Sequence, residues 1–148
     1  MVIGRPRTPG LAQAISEFEG RAARYWPIEV RELREASSRG GRPEQVRTAE
    51  WQRLTDAARG ALVVVCDGRG RAMASREFAA WLEARRAEAA DLAFVIGGAH
   101  GLPAEATEEA ALVLSLAAWT LPHELARLVL AEQLYRAGTI LRGEPYHK

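Results

Sequence analysis

"ALVVVC", residues Ala61 to Cys66, decides the fold. Six consecutive apolar residues, three of them valine, leave no polar position for a solvated face. Such a run fits a strand covered on both sides, as in a parallel sheet. The "DGRGR" that follows reads as the turn ending it. Two more apolar runs lie downstream: "LAFVIGG" (Leu92 to Gly98) and "ALVLSLA" (Ala111 to Ala117). Between the first two runs, Ser75 is placed to cap a helix reaching about Ala90, with Phe78, Trp81 and Leu82 inward. Between the next two, Pro103 to Glu109 fits a short helix.

Upstream, "MVIG" is a strand stub. Residues from about Gly10 to Tyr25 carry Leu11, Ile15, Phe18 and Ala22 at helical spacing. "PIEVREL" (Pro27 to Leu33) sets Ile28, Val30 and Leu33 against charges, as a half-exposed strand does. After the polar, glycine-rich "EASSRGGRP", Pro43 to Arg59 reads as a helix with Val46, Trp51, Leu54 and Ala57 or Ala58 inward. Buried strands alternating with helices predict a single α/β domain over residues 1–148, a mostly parallel sheet sandwiched by helices. Ligands of such sheets bind beyond the carboxyl ends of the strands. Three ends stand out here: Cys66-Asp67-Gly68, Gly97-Gly98, and Leu116 to Leu121.

With 20 basic and 19 acidic residues, net charge is +1 and announces no nucleic acid. The charge is uneven: residues 1–60 carry 11 Arg against 8 acids. All the basic residues but Lys148 are Arg, which suits phosphate contacts but which GC-rich coding also produces. No apolar run approaches a membrane span. "MVIGRPRTPG" has no apolar signal core, so export is not expected. One cysteine, Cys66, excludes an internal disulfide and fits a reducing cytoplasm. His100, His123 and His147 have no metal-ligand spacing, so no metal is expected.

"GGAHG" (Gly97 to Gly101) would let a ligand approach the main chain, or is simply a tight turn. It is neither a dinucleotide fingerprint nor a phosphate loop. "LAAWTLP" (Leu116 to Pro122) could line a pocket for a planar base, or merely connect strand to helix. The last helix starts near Pro122, and His123 in its first turn is expected neutral beside the helix dipole. Leu121, Leu125, Leu128 and Tyr135 form its stripe. Val129, Leu130 and Leu134 widen the stripe so far that one small core should not cover it, which points to a homodimer. Within it, Glu124 can pair with Arg127 and Glu132 with Arg136. The tail "LRGEPYHK" holds Arg142, Tyr146, His147 and Lys148, an inert terminus or a set suited to binding nucleic acid.

"FVIGGAHGL" followed by "LSLAAWTLPHELARLVLAEQLYRAGTILRGEPYHK" resembles the RlmH family of the SPOUT superfamily. The likeness is dense from about Phe94 to Lys148 and weaker elsewhere. It implies an S-adenosylmethionine-dependent enzyme that methylates N3 of a pseudouridine in large-subunit ribosomal RNA. It also implies a C-terminal trefoil knot, which no periodicity could reveal, and a homodimer working on the ribosome. By position, Cys66, Gly97, Gly98, Leu116, Ala117, Ala118, Trp119, Thr120 and Leu121 match cofactor-binding positions. Tyr146 and His147 match the tail pair at the active site, and Arg136 and Arg142 match positions facing substrate. Of these, His147 is expected to assist deprotonation, Tyr146 to stack on or orient the base, and Arg136 to stabilise charge. RNA contacts are expected from Arg142 and from Arg39 and Arg42 in a patch with Arg31, Arg34 and Arg47.

The chain departs from the family in a short first strand, consistent with a start placed too far downstream, and in His100 where relatives carry an acid or amide. Two rival readings are a flavodoxin-type nucleotide-binding module and a non-catalytic dimer that binds ribosomes. Another SPOUT RNA methyltransferase is a further alternative.

Overall fold

The computed structural model describes residues 1–36 and 42–148. In chain order the elements are β1 (Val2–Ile3), α1 (Pro9–Ala22), β2 (Glu32–Leu33), α2 (Pro43–Ala57), β3 (Leu62–Ala72), α3 (Ser75–Ala87), β4 (Leu92–Val95), α4 (Ala104–Glu109), β5 (Leu112–Ser115) and α5 (His123–Leu141). β1 pairs with β2, and β3 pairs with β4 and β5, all parallel. A parallel bridge from Val2 to Ile96 joins the two ladders. The strands therefore lie in the order β2-β1-β4-β3-β5.

The apolar run of β3 is covered on both faces because neighbouring side chains point opposite ways. Val64 packs with Val2, Phe78, Leu82, Ile96, Leu114 and Leu130, under α3 and α5. Val65 packs with Ile3, Trp51, Leu54, Val95 and Ala106, under α2 and α4. This is the expected α/β sandwich.

β3 does not stop at Cys66. Cys66 and Arg71 both pair with Leu114, so Asp67 to Gly70 loops out and the strand resumes. Asp67 stabilises the excursion by accepting from the Arg69 main-chain N–H at 2.9 Å and from its guanidinium at 2.9 and 3.0 Å. Gly70 brings the chain back against β5, where a Cβ would lie 2.5 Å from the Val113 carbonyl oxygen. Main chain cannot yield as a flexible side chain can. Gly70→Ala is expected to cost about 1–3 kcal/mol of stability by overpacking; an unchanged urea midpoint would contradict this contact.

Three further expectations are corrected. "PIEVREL" pairs only at Glu32 and Leu33, because β1 offers just two residues to pair with. Ser75 is not a cap: Ala74 holds that position, and the Ser75 hydroxyl donates to Gln133 Oε1 at 2.9 Å instead. The Glu124–Arg127 pair does not form. Arg127 reaches Glu19 at 2.7 Å and Glu32 at 2.7 Å, while Glu124 Oε1 accepts from the Arg7 main-chain N–H at 3.0 Å.

These contacts also show how much of α5 one chain can cover. α1 packs along it and α3 packs against it, burying Ala126, Arg127, Leu130, Ala131, Ala137, Gly138 and Thr139. Gly138 is needed there, since a Cβ would fall 2.3 Å from the Tyr25 ring. Leu125, Leu128 and Val129 remain half-buried.

Candidate functional site

The carboxyl ends of β3, β4 and β5 lie side by side, as the parallel pairing demands. Cys66 ends the first register of β3. By area Cys66 is half-buried, and desolvation pushes its thiol up to about 12, which keeps it a neutral thiol at physiological pH. Since the folded value lies above the unfolded one, the unfolded chain loses this proton first, and stability should fall as pH rises past 9. A thiol reagent at pH 8 is expected to modify Cys66 far more slowly in the native protein than in urea; equal rates would contradict its desolvation.

Gly97 and Gly98 follow β4. A Cβ on Gly97 would meet Leu102 Cγ at 2.8 Å, and one on Gly98 would meet Glu50 Oε2 at 2.8 Å and Ile3 Cγ2 at 2.9 Å. The turn is packed tightly from behind. Glu50 is buried there, its Oε1 accepting from the Ala36 N–H at 3.0 Å and its Oε2 without a partner among the described residues. His123 Nε2, 3.5 Å from where a Gly4 Cβ would stand, is likewise buried and unpartnered among the described residues.

Leu116 to Leu121 cross from β5 to α5 without regular structure. Among the described residues, none of their main-chain N–H groups has a main-chain partner. Trp119 is 82% exposed. Donors in this condition need a ligand, water or another chain. They lie at the same carboxyl edge of the sheet as the glycine turn, with β3 between them.

The second half of the site is the tail. Arg136 Nε and Nη2 donate to Glu132 Oε1 at 3.0 and 2.5 Å, the i,i+4 pair expected from the sequence. The Tyr146 hydroxyl donates to the same oxygen at 3.0 Å. Arg136 Nη1 lies 3.5 Å from His147 Nδ1, and its guanidinium carbon sits 4.8 Å from the Tyr146 ring centroid. Burial, then the Glu132 hydrogen bond, raise the Tyr146 phenol above its ordinary value. His147 also borders a cleft of about 290 Å³ with Arg76, Ile140, Gly143, Glu144 and Pro145. Tyr25, in the turn after α1, anchors the tail by donating to Glu144.

The family described as "Predicted SPOUT methyltransferase" matches residues 1–147. The chain belongs to the SPOUT methyltransferase family. It is 56% identical to the ribosomal RNA large subunit methyltransferase H of Gemmatimonas aurantiaca, over 100% of this chain and 97% of that one. Proteins of the same name from Syntrophotalea carbinolica and Geobacter metallireducens are 40% and 39% identical. Those matches cover 99% and 98% of this chain, and 96% and 94% of the relatives. A methyltransferase needs a methyl donor and an acceptor.

The structure brings Arg136, Tyr146 and His147 together, and sets Cys66, Gly97, Gly98 and residues 116–121 along one edge of the sheet. It does not gather all the expected arginines. Arg142 lies over Tyr25, which holds Glu144 of the tail, its guanidinium carbon 4.6 Å from the ring centroid. Arg31 pairs with Glu29 and donates to the Ala57 carbonyl at the end of α2, whereas Arg42 stands exposed at the start of α2. Fifteen residues of helix, about 22 Å, separate those ends, so Arg31 leaves the expected patch. Arg39 lies outside the described residues. A groove of about 760 Å³ lies toward the opposite, amino edge of the sheet, lined by Met1, Ile28, Val30, Leu92 and Phe94. There the buried Met1 ammonium, its basicity lowered by desolvation, donates to the Phe94 carbonyl at 2.7 Å. None of Cys66, Gly97, Gly98, residues 116–121, Arg136, Tyr146 and His147 lines that groove.

Sequence reasoning missed Ser75, Gln133 and Tyr25 as supports of the tail. Ser75 and Gln133 are 58 residues apart, and no local pattern connects them.

Proposed function

We propose that this methyltransferase uses S-adenosylmethionine to methylate N3 of a pseudouridine in large-subunit ribosomal RNA, acting on the ribosome as a homodimer. Membership of the SPOUT family and near-full-length similarity to ribosomal RNA methyltransferases support RNA as the acceptor. The observation that carries the donor is the crossing at 116–121, whose main-chain N–H groups have no main-chain partner among the described residues, at the same sheet edge as the Gly97-Gly98 turn. Those residues and Cys66 would hold the cofactor, and main-chain N–H donors suit the acceptor nitrogens of an adenine. S-adenosylmethionine, when bound, supplies a methyl group already activated by its sulfonium. The remaining demands fall on the protein: to place N3 about 3–3.5 Å from that carbon and in line, and to help N3 release its proton.

Tyr146 stacks on or orients the base. Arg136 faces the uracil carbonyls, on which negative charge grows as N3 loses its proton. His147 assists that loss. Arg142 and Arg42 position RNA through phosphates, which carry no sequence information; Arg39 joins them in the expected reading. Trp119, with Leu125, Leu128 and Val129, offers the apolar surface a second copy would cover, and the trefoil knot fits the crossing that leads into α5.

Calorimetry tests the donor. The protein is expected to bind S-adenosylmethionine, and Gly98→Val, which drives side-chain atoms into Glu50 and Ile3, to bind it much more weakly. No affinity for S-adenosylmethionine, with binding of a flavin or nucleotide, would overturn the reading in favour of a nucleotide-binding module.

A further inference from the structure

We propose that Glu132 is the positioning residue of the acceptor side, fixing Arg136, Tyr146 and His147 in one arrangement and joining them to the strand ends. The inference rests on the reading of those three side chains as acceptor-side groups.

Glu132 Oε1 receives Arg136 Nε, Arg136 Nη2 and the Tyr146 hydroxyl. Its Oε2 accepts from Gln133 Nε2 at 2.7 Å, and Gln133 Oε1 accepts from the Ser75 hydroxyl at 2.9 Å. Ser75 stands three residues beyond Ala72, which pairs with Ser115, the last strand residue before the crossing. One carboxylate therefore ties the tail to the end of β3 and β5. An i,i+4 ion pair open to solvent contributes little to folding. Here both oxygens are given to side chains of the site, which is the pattern of a residue that orients others.

Glu132 also determines what His147 presents. Because it takes Nε and Nη2 of Arg136, Nη1 is left facing the imidazole. A guanidinium has only donors to offer, so at this contact His147 Nδ1 must accept. The hydrogen of the neutral ring is then on Nε2. His147 thus assists as an N–H donor, stabilising charge on a base carbonyl while the N3 proton leaves to water, and does not itself take the proton through Nε2.

The test uses the whole protein with Glu132→Ala and Glu132→Gln. Gln retains an acceptor for Tyr146 without the charge that holds Arg136. Two readouts are needed: single-turnover methyl transfer to undermethylated ribosomes, and the nitrogen-15 long-range spectrum of the histidines, which reports the tautomer of His147. Glu132→Ala is expected to lower the transfer rate by about a hundredfold with cofactor affinity and melting temperature kept. It should also convert His147 from the Nε2–H form to a mixture of tautomers. Glu132→Gln should fall between, and it carries the test should the alanine variant not fold. Wild-type transfer, or a His147 spectrum unchanged in both variants, would overturn the proposal. So would loss of cofactor binding in step with loss of rate, since that is general damage. A tautomer change in a protein whose wild type transfers no methyl would uphold the positioning and reject the enzymatic reading.

Discussion

His147→Ala lowers single-turnover methyl transfer by about 10²- to 10³-fold, the usual cost of removing one donor aimed at developing charge, and leaves affinity for S-adenosylmethionine unchanged. The expected split follows from position. His147 belongs to the tail, beside Arg136 and the cleft with Arg76 and Glu144, whereas the residues proposed to hold the cofactor lie at the strand ends. Folding should hardly respond, because the imidazole is only partly covered and belongs to neither apolar core cluster. Rapid-quench transfer measured beside calorimetry checks both halves. A rate within a few-fold of wild type removes His147 from the chemistry, and a parallel fall in cofactor affinity relocates it to the donor side.

The second large effect concerns stability. Arg127, 9% exposed, joins α5 to α1 and β2 through Glu19 at 2.7 and 3.2 Å and Glu32 at 2.7 Å. Burial alone would lower the Arg127 value, but the two carboxylates raise it. Arg127→Ala removes the cation and leaves two carboxylates facing each other beside the sheet. Breaking a buried ion pair from one side costs about 3–5 kcal/mol. The carboxylates retain some access to water, and Glu32 keeps Arg5 at 3.1 Å, so the lower end, about 3 kcal/mol, is expected. Arg127→Met should lose less, since it keeps the packing of the stem. Urea unfolding of both variants measures this. A loss below about 1 kcal/mol for alanine would place Arg127 among ordinary surface pairs.

How far these features could be read from the sequence varies with their range. The buried run at Ala61 to Cys66 revealed the parallel sheet because continuous apolarity is itself the signature of a two-sided strand. The helix stripes of α1, α2 and α3 held for the same local reason. The excursion at Asp67 to Gly70 stayed hidden: glycine and aspartate mark a turn, and nothing local says that the strand resumes beyond it. Arg127 was assigned to Glu124 because helical spacing was the only geometry at hand, while its partners are Glu19, 108 residues away, and Glu32. The Glu132–Arg136 pair was readable because it lies within one helix. Its links to Tyr146 and, through Gln133, to Ser75 needed the fold. The cofactor and tail residues were named through resemblance. Among the described residues the structure adds which of them meet, and that Arg31 stands apart from Arg42.

The central claim is that this chain places a methyl group on one base of large-subunit ribosomal RNA. It is tested most directly by incubating the protein and labelled S-adenosylmethionine with ribosomes from cells lacking the gene, alongside free large subunits and naked RNA. Mass spectrometry of the digested nucleosides then reads the product. The expected result is label in a single large-subunit nucleoside, identified as N3-methylpseudouridine, with the assembled ribosome as the best substrate. Cofactor bound by calorimetry with no label in any ribosomal RNA would contradict the account.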